Sequence, residues 1–347
     1  MIRVGLIGFG MAGQVFHAPT IRAVPGLELA CILERNGSRA QVKYPEVRVA
    51  RSLDELLSDE TIRLCVIATP HTTHVELARL CLQAGRDVVV DKVFTPTLRE
   101  AEELIALAKE KNRMITVYQN RRWDGDFQTV KKVLASGQLG RVVEYEVRYE
   151  RFRPGLRSHS WREVAEPGSG MLFDLGPHVV DQALLLFGQP LTVTASLFRQ
   201  REGSQIDDAF DVCLEYPEMR ALLHSRIIAC APGPHFAVHG TKGSFVKFGM
   251  DPQEELLKAG AVPEGADWGQ DPQELWGTLT LAENGSIQKV QTEPGDYPGF
   301  YANLRDALLQ GAPPPVTPDQ AWRTMRALEL AKQSSQQRRT LSWDEVI

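Results

Sequence analysis

The chain has 347 residues, and its 39 Lys and Arg against 44 Asp and Glu leave a net charge of −5 at pH 7. At about 150 residues per domain, this length predicts roughly two domains. A composition of 43% hydrophobic and 24% charged residues is typical of globular proteins and excludes disordered and fibrous classes. No run approaches the ~20 apolar residues of a membrane span, and no Lys/Arg cluster suits nucleic acid. We therefore expect neither a membrane nor a nucleic-acid partner.

The cysteines indicate a reducing compartment. The chain contains five of them: Cys31, Cys65, Cys81, Cys213 and Cys230. None belongs to a C-x-x-C pair, and an odd number fits a disulfide framework poorly. The pattern predicts free, buried thiols and a cytoplasmic protein. The spacing of His71 and His74 gives no support for a metal site.

The first 121 residues alternate between strand and helix patterns. Apolar runs predict strands over 2–7, 27–33, 63–68, 87–90 and 114–117. Helical spacing of apolar residues predicts helices over 11–24, 53–57, 73–84 and 98–111. Short connections between alternating strands and helices indicate βαβ units and a doubly wound parallel sheet. We assign this α/β domain to residues 1–121.

The pattern changes after residue 121, where alternation with a period of two appears. It predicts strands over 142–152, 193–198, 210–216, 221–228, 236–239 and 244–248, with helices over 127–136, 174–187, 301–309 and 318–333. In the first of these strands, Val143, Tyr145, Val147 and Tyr149 share one face, which is typical of a half-solvated antiparallel strand. We expect residues 122–347 to form an α+β domain with an open-faced, mainly antiparallel sheet. An exposed apolar-rich face on that sheet would predict subunit pairing.

A glycine-rich turn follows the first predicted strand. Gly8-Phe9-Gly10-Met11-Ala12-Gly13 is a G-x-G-x-x-G motif between a strand and a helix. Gly8 permits the tight turn, Gly10 lets the backbone approach a pyrophosphate, and Gly13 lets helix and strand pack closely. The helix N-terminus offers N–H groups and a positive dipole to phosphates. This motif predicts a dinucleotide-binding Rossmann domain.

The end of the second strand leaves the choice of cofactor open. Glu34 occupies the place of the acidic residue that binds ribose hydroxyls, and Arg35 follows it. Glu34 favours NAD, because it accepts a hydrogen bond from a 2′-hydroxyl and repels a 2′-phosphate. Arg35 favours NADP if it pairs with that phosphate. We expect NAD or NADP, with a slight preference for NAD.

Two further segments contain candidates for proton transfer. Lys92 follows an apolar strand at the end where doubly wound sheets bind ligands, although a surface lysine that ends a strand fits the position equally well. In the segment 174–181, Pro177 suits a first helical turn, Asp174 lies near the N-cap, and His178 and Asp181 share one side. The rest of that helix is apolar, so a buried polar stripe would need partners. A hydroxyl-rich ligand would supply them, as would backbone contacts to a capping Asp and a core His.

The glycine-rich turn and the segment 174–181 occur in the order found in Gfo/Idh/MocA oxidoreductases. Two further segments fit the same order: Ala68-Thr69-Pro70-His71-Thr72-Thr73-His74 and Val90-Asp91-Lys92. The chain resembles that family over essentially its whole length, and the family's E-K-P motif stands here as Asp91-Lys92-Val93. The nearest likeness is to scyllo-inositol dehydrogenase-like members. That likeness is carried by segments 120–124, 160–163 and 249–255.

The resemblance implies an NAD(P)-dependent dehydrogenase of a polyol, sugar or inositol, paired through its C-terminal sheet as a homodimer or homotetramer. Lys92 and His178 would share the acid/base work, and Asp174 would bond the substrate. The implied cofactor contacts are Gly8, Phe9, Gly10, Met11, Ala12, Gly13, Glu34, Arg35, Thr69, Pro70, His74, Asp91, Lys92 and Asn120. The implied substrate contacts are Lys92, Asn120, Arg121, Trp161, Arg162, Asp174 and His178. NAD-assisted glycoside hydrolysis on the same site and a non-catalytic sugar sensor or co-regulator remain alternatives.

Overall fold

The computed structural model describes residues 1–156 and 163–346. The chain divides into two compact units, each assembled from three stretches. Unit 1 comprises Met1–Trp123, Pro252–Gly269 and Asp296–Trp322, and unit 2 comprises Asp124–Asp251, Gln270–Gly295 and Arg323–Ile347. Within the described ranges, no helix has both the length and the apolar character that crossing a bilayer requires.

Unit 1 is built on a six-stranded sheet. Its strands are β1 (Ile2–Ile7), β2 (Leu27–Leu33), β3 (Arg48–Ala50), β4 (Ile62–Ile67), β5 (Asp87–Val90) and β6 (Ile115–Val117). They lie in the order β3-β2-β1-β4-β5-β6, and every neighbouring pair is parallel. The predicted doubly wound parallel sheet is confirmed, and its order is that of dinucleotide-binding sheets.

The helices of unit 1 largely follow the prediction. They are a π turn (Gly13–His17) that continues as α1 (Ala18–Arg22), then α2 (Arg39–Lys43), α3 (Leu53–Leu57), α4 (His74–Gln83) and α5 (Leu98–Glu110). Short 3₁₀ turns occupy His71–Thr73 and Asn120–Trp123. The sequence did not predict α2 and β3, because five polar-rich residues and a three-residue strand carry no clear periodicity.

Unit 2 is built on a nine-stranded sheet. Its strands are β7 (Val142–Glu150), β8 (Thr192–Phe198), β9 (Ala209–Glu215), β10 (Arg220–Arg226), β11 (Phe236–Gly240), β12 (Gly243–Lys247), β13 (Gly277–Leu281), β14 (Ile287–Val290) and β15 (Leu341–Ser342). The order is β14-β13-β12-β11-β7-β10-β9-β8-β15. The sheet is mainly antiparallel, as predicted. The prediction of β7 as an antiparallel strand is right for its pairing with β11 but wrong for its pairing with β10, which is parallel.

The remaining helices complete both units. They are α6 (Gly125–Ala135), α7 (Met171–Asp174), α8 (Gly176–Phe187), α9 (Gln253–Lys258), α10 (Tyr297–Gln310) and α11 (Pro318–Gln337). The predicted single helix over 174–187 is in fact the end of α7 followed by α8. The sequence prediction lacked α9 and the strands β13 to β15, which are short or rich in polar residues.

The outward face of the nine-stranded sheet is charged. Tyr145 of β7 points inward and is fully buried, whereas alternate residues on β7, β9 and β10 face the other way. There His224 lies 2.5 Å from Asp211 and 3.2 Å from Glu146, and Arg226 also pairs with Asp211. The expectation of an apolar-rich face is therefore wrong, because the alternating positions on these strands hold ion pairs.

The inner side of unit 2 contains a buried cluster of charged groups. Asp126 of α6 is fully buried and accepts hydrogen bonds from the backbone N–H groups of Phe127 and Asp251 at 2.6 and 3.2 Å. A buried ion pair joins Lys247 to Asp271 at 2.7 Å. Burial and the nearby Asp251 charge raise the pKa of Asp126 to about 7, against the weaker opposing effect of Lys247. Between about pH 4 and pH 7, the Asp126 carboxyl therefore keeps its proton in the folded protein but loses it in the unfolded chain.

Asp126→Asn is expected to flatten the dependence of stability on pH. Because folding raises the pKa of Asp126, the stabilisation from its bound proton is complete only below the ordinary pKa of 3.8. It is lost as the pH rises through about 7, by at most about 4 kcal/mol in the free energy of unfolding. Urea unfolding at pH 5 and pH 8 should show a larger loss for wild type than for the variant. Asp344→Asn, which alters an exposed carboxylate, should behave as wild type. Equal losses in wild type and Asp126→Asn would contradict the expectation.

Candidate active site

The residues predicted to bind the cofactor follow the carboxyl ends of parallel strands in unit 1. Gly8 comes after β1, Glu34 after β2, Thr69 after β4, Lys92 after β5 and Asn120 after β6. Parallel strands place their carboxyl ends at one edge of the sheet, and ligands bind at that edge in doubly wound folds. The fold therefore gathers segments that are far apart in sequence.

The glycine turn is crowded at two positions and open at the third. Gly8 has φ +99°, and a Cβ there would lie 2.7 Å from the Ala68 carbonyl oxygen. A Cβ on Gly13 would lie 2.3 Å from the Gly8 carbonyl oxygen, so a side chain cannot fit. Apart from Gly10 and its two chain neighbours, no atom of the described residues lies within 4 Å of a Cβ position on Gly10. A ligand can thus approach the backbone at Gly10.

The helix after this turn begins without a polar capping residue. Ala12 precedes the π turn, whose wide loop is closed by the Ala18 N–H donating to the Gly13 carbonyl. Phe9 is buried with its ring edge against Tyr44, and Met11 is about half exposed. N–H groups at a helix start bind phosphate well. The turn fits the diphosphate of a dinucleotide.

Glu34 is bound to the protein at both carboxylate oxygens. Oε1 accepts from Arg39 Nε and Oε2 accepts from the Ala40 N–H, each at 3.0 Å. Burial alone would raise the pKa of Glu34, but these two donors lower it below its ordinary value. Arg35, next to it, is exposed. The acidic residue expected to bind ribose therefore also anchors α2, with Arg39 offsetting its charge.

His74 connects two of the strand-end segments. It is buried, with Nδ1 2.8 Å from the Val93 carbonyl oxygen and Nε2 3.0 Å from the Thr69 carbonyl oxygen. Burial lowers the pKa of His74. Both ring nitrogens face backbone carbonyls, so His74 joins the loops after β4 and β5, and its contact with a cofactor stays a prediction. Pro70, in the same segment, is exposed.

Lys92 is half-buried in the segment after β5. The Asp91 carboxylate accepts the Lys92 backbone N–H at 2.8 Å, and the Lys92–Val93 peptide bond is cis. Asn120 and Arg121 form the start of the 3₁₀ turn after β6, and both are buried.

Arg121 has a partner that sequence reasoning missed. Its Nη2 lies 2.6 Å from Oε2 of Glu254 on α9, which also pairs with Lys258 at 2.7 Å. Burial opposes ionisation of Glu254, but the two cations lower its pKa to about 2. Segment 249–255 contributed to the family likeness, yet its spacing gave no sign of this long-range pair. Arg121 thus binds α9 in addition to any ligand.

In unit 2, the predicted polar stripe lies on α8. His178 and Asp181 are both buried, and Asp181 Oδ1 lies 3.4 Å from Thr324 Oγ1. Leu175 is the N-cap of α8, so Asp174 is not the capping residue; it ends α7 instead and is half-buried. Pro177 stands in the first turn, as predicted.

Two residues that position this stripe were not predicted. Asp207 Oδ2 accepts the Leu172 N–H at 2.9 Å, and its carbonyl accepts the Met171 N–H at 2.8 Å, so it caps α7. A Cβ on Gly176 would lie 2.9 Å from Leu328 Cδ2, so this glycine lets α8 pack against α11. Trp161 and Arg162, the other predicted substrate contacts, lie outside the described residues.

Comparison with known proteins defines the class. Residues 2–119 match the oxidoreductase family domain described as an NAD-binding Rossmann fold, and residues 131–343 match the family's C-terminal alpha/beta domain. The chain belongs to the Gfo/Idh/MocA oxidoreductase family, and its Rossmann domain binds NAD(P).

Relatives match over nearly the full chain. The oxidoreductase YdgJ of Escherichia coli is 46% identical over 340 residues, covering 98% of each chain. The scyllo-inositol 2-dehydrogenase (NADP(+)) IolW of Bacillus subtilis is 38% identical over 343 residues, covering 98% of this chain and 95% of its own. The solved structure of yvaA from Bacillus subtilis superposes with a TM-score of 0.95 at 36% identity, covering 98% of each chain.

Gly13→Ala and Gly10→Ala are expected to separate packing from cofactor binding. Gly13→Ala should lower the melting temperature, since its Cβ meets a backbone carbonyl, at a cost of about 1–3 kcal/mol. Gly10→Ala should melt as wild type but weaken dinucleotide binding at least about tenfold, measured by NAD(P)H fluorescence. Normal cofactor affinity in Gly10→Ala would place the pyrophosphate elsewhere.

Proposed function

We propose that this chain transfers a hydride between a secondary alcohol of a polyol, sugar or inositol and NAD(P). The observation that carries the proposal is the placement of Lys92 and the glycine turn at the same edge of one parallel sheet, after β5 and β1. The relationship to IolW, a scyllo-inositol 2-dehydrogenase, supports a cyclic or open polyol as substrate.

In this proposal, the protein moves a proton while the cofactor moves the hydride. The bound nicotinamide supplies the hydride acceptor or donor at its C4 carbon. Lys92 and His178 share the acid/base work: one of them accepts the hydroxyl proton during oxidation and returns it during reduction. Asp174 accepts a hydrogen bond from the substrate, and Asn120 and Arg121 donate to its hydroxyls. Trp161 and Arg162 complete the substrate contacts proposed from the family resemblance.

The site residues are assigned to two functional segments. We propose that residues 1–121 bind the cofactor and residues 122–347 bind the substrate. All five cysteines are free thiols: three are buried, one is half-buried and one is exposed. Free thiols support a cytoplasmic location. We also propose that the chain self-associates through the outward face of the nine-stranded sheet. Because this face holds charged side chains, ion pairs rather than apolar contacts would join the subunits.

Lys92→Met is expected to abolish turnover without abolishing cofactor binding. A general acid/base contributes about 10²–10⁴-fold to a rate, so kcat should fall at least about 100-fold. The assay is a panel of cyclitols and aldoses with NAD and with NADP, followed at the nicotinamide absorbance. His178→Gln should give a loss of similar size.

Lys111→Met, at the exposed end of α5, is the matched control and should turn over as wild type. Undiminished turnover in Lys92→Met would contradict the role of its amine. Release of a sugar at constant nicotinamide absorbance would indicate cofactor-assisted hydrolysis instead. Binding of polyols without any cofactor reduction in wild type would indicate a sensor.

Glu34→Gln is expected to shift the cofactor preference towards NADP. The change removes a negative charge near the ribose and releases Arg39 from its ion pair, so Arg39 can pair with a 2′-phosphate. The ratio of kcat/KM for NADP to that for NAD should rise about tenfold, which corresponds to about 1.4 kcal/mol. Glu100→Gln, which alters the capping box of α5, should leave the ratio unchanged. An unchanged ratio in Glu34→Gln would show that Glu34 serves α2 alone.

A further inference from the structure

A buried histidine in unit 1, His17, is not among the residues assigned above to cofactor or substrate. His17 ends the π turn after the glycine motif and is fully buried. Its Nδ1 lies 2.6 Å from the Tyr301 hydroxyl, and its Nε2 lies 3.7 Å from Asp91 Oδ2. Its ring packs on Tyr118 with 4.3 Å between centroids. One imidazole therefore links the helix of the glycine turn to the residue before Lys92.

The two contacts of the His17 ring together favour one tautomer. Burial, with smaller effects from Tyr118 and Asp91, raises the pKa of Tyr301 well above its ordinary value. An ionised Asp91 carboxylate near Nε2 favours a neutral imidazole with its proton on that nitrogen, and Nδ1 then accepts a hydrogen bond from the Tyr301 hydroxyl. That N–H faces the Asp91 carboxylate. The distance of 3.7 Å exceeds a direct hydrogen bond, so the contact is an electrostatic attraction between the N–H dipole and the carboxylate.

Asp91 transmits this contact to Lys92. Burial alone would raise the pKa of Asp91, but His17, Lys92 and His74 together lower it below its ordinary value. The carboxylate therefore stays ionised, and its Oδ1 accepts the Lys92 N–H. On the other side of Lys92, His74 contacts the Val93 carbonyl oxygen. The backbone of Lys92 is thus restrained before and after the residue.

The π turn gives His17 its direction. An α-helix closes each turn with a bond four residues apart, whereas the Ala18 N–H reaches the Gly13 carbonyl five residues back. The widened turn rotates the residues it contains relative to an α-helical course. Such turns recur at functional sites in proteins.

We propose that His17 is a positioning residue for Lys92, acting through the Asp91 carboxylate, with the Tyr301 hydroxyl donating to its Nδ1. The inference rests on the proposed function, because the positioning matters for turnover only if Lys92 moves the proton. In this arrangement, His17 connects the helix after the glycine turn to the Asp91 carboxylate, and Asp91 connects it to the backbone of Lys92.

Two substitutions distinguish positioning from bulk packing. His17→Gln keeps an N–H near the place of Nε2, and His17→Asn keeps a polar group only near Nδ1. We expect His17→Asn to lower kcat at least about tenfold, with KM for alcohol and cofactor within about twofold. His17→Gln should stay within about threefold of wild type. A fall in kcat at constant KM marks an interaction used in the transition state.

Two tyrosine variants complete the design. Tyr301→Phe removes the hydroxyl but keeps the ring, and kcat should fall about threefold. Tyr145→Phe, a fully buried tyrosine of β7, is the matched control and should leave kcat unchanged. Equal losses in His17→Gln and His17→Asn would overturn the proposal, as would an unchanged kcat in Tyr301→Phe.

A measurement without substrate separates this proposal from the proposed function. The rate of reductive methylation of Lys92, followed by peptide mass spectrometry, should rise at least about threefold in His17→Asn and not in His17→Gln. Unchanged or slower methylation would overturn the positioning role. Failure of wild type to oxidise any alcohol would contradict the dehydrogenase assignment, while the methylation comparison would still decide the role of His17.

Discussion

The common direction of the six strands in unit 1 determines where its chemistry takes place. Because all of them run parallel, the loops after β1, β2, β4, β5 and β6 emerge at one edge. In the order β3-β2-β1-β4-β5-β6, the chain adds strands to one side of β1 and then, from β4 onwards, to its other side. A crevice opens between β1 and β4 in such sheets. The glycine turn adds a local requirement, since Gly13 must approach the Gly8 carbonyl too closely for any side chain. A sheet with mixed directions would have separated these loops.

Charged and aromatic groups then hold those loops in place. His74 bridges the loops after β4 and β5, and His17 links the glycine-turn helix to Asp91. Glu254 holds Arg121, and Glu34 anchors α2. These contacts join backbone segments that the sheet alone leaves free to move. The proton transfer proposed for Lys92 requires such restraint, because misplacement by about 1 Å can cost about 100-fold in rate.

The sequence predicted five of the six strands of unit 1, all but β3, because those five contain apolar runs and the loops between them contain glycine and capping signals. It also placed Gly8 and Lys92 directly after strands and His178 near the start of a helix, and the structure agrees. The sequence did not predict contacts between residues that lie far apart along the chain. The partner of Arg121 lies 133 residues away at Glu254, and Asp207 caps α7 from a distant loop. The polar edge strand β14 lacks an alternating pattern, and the π turn has no periodicity of its own.

The outward face of the nine-stranded sheet has a consequence for how the protein is handled in solution. Its side chains form a lattice in which His224 bridges Asp211 and Glu146, flanked by Arg226 and Arg148. A surface that docks there has to match alternating charges, so its affinity depends on ionic strength. Counterions screen exposed charges beyond about 8 Å at physiological salt. The salt concentration of the buffer is therefore expected to change how tightly a charged surface binds to this face.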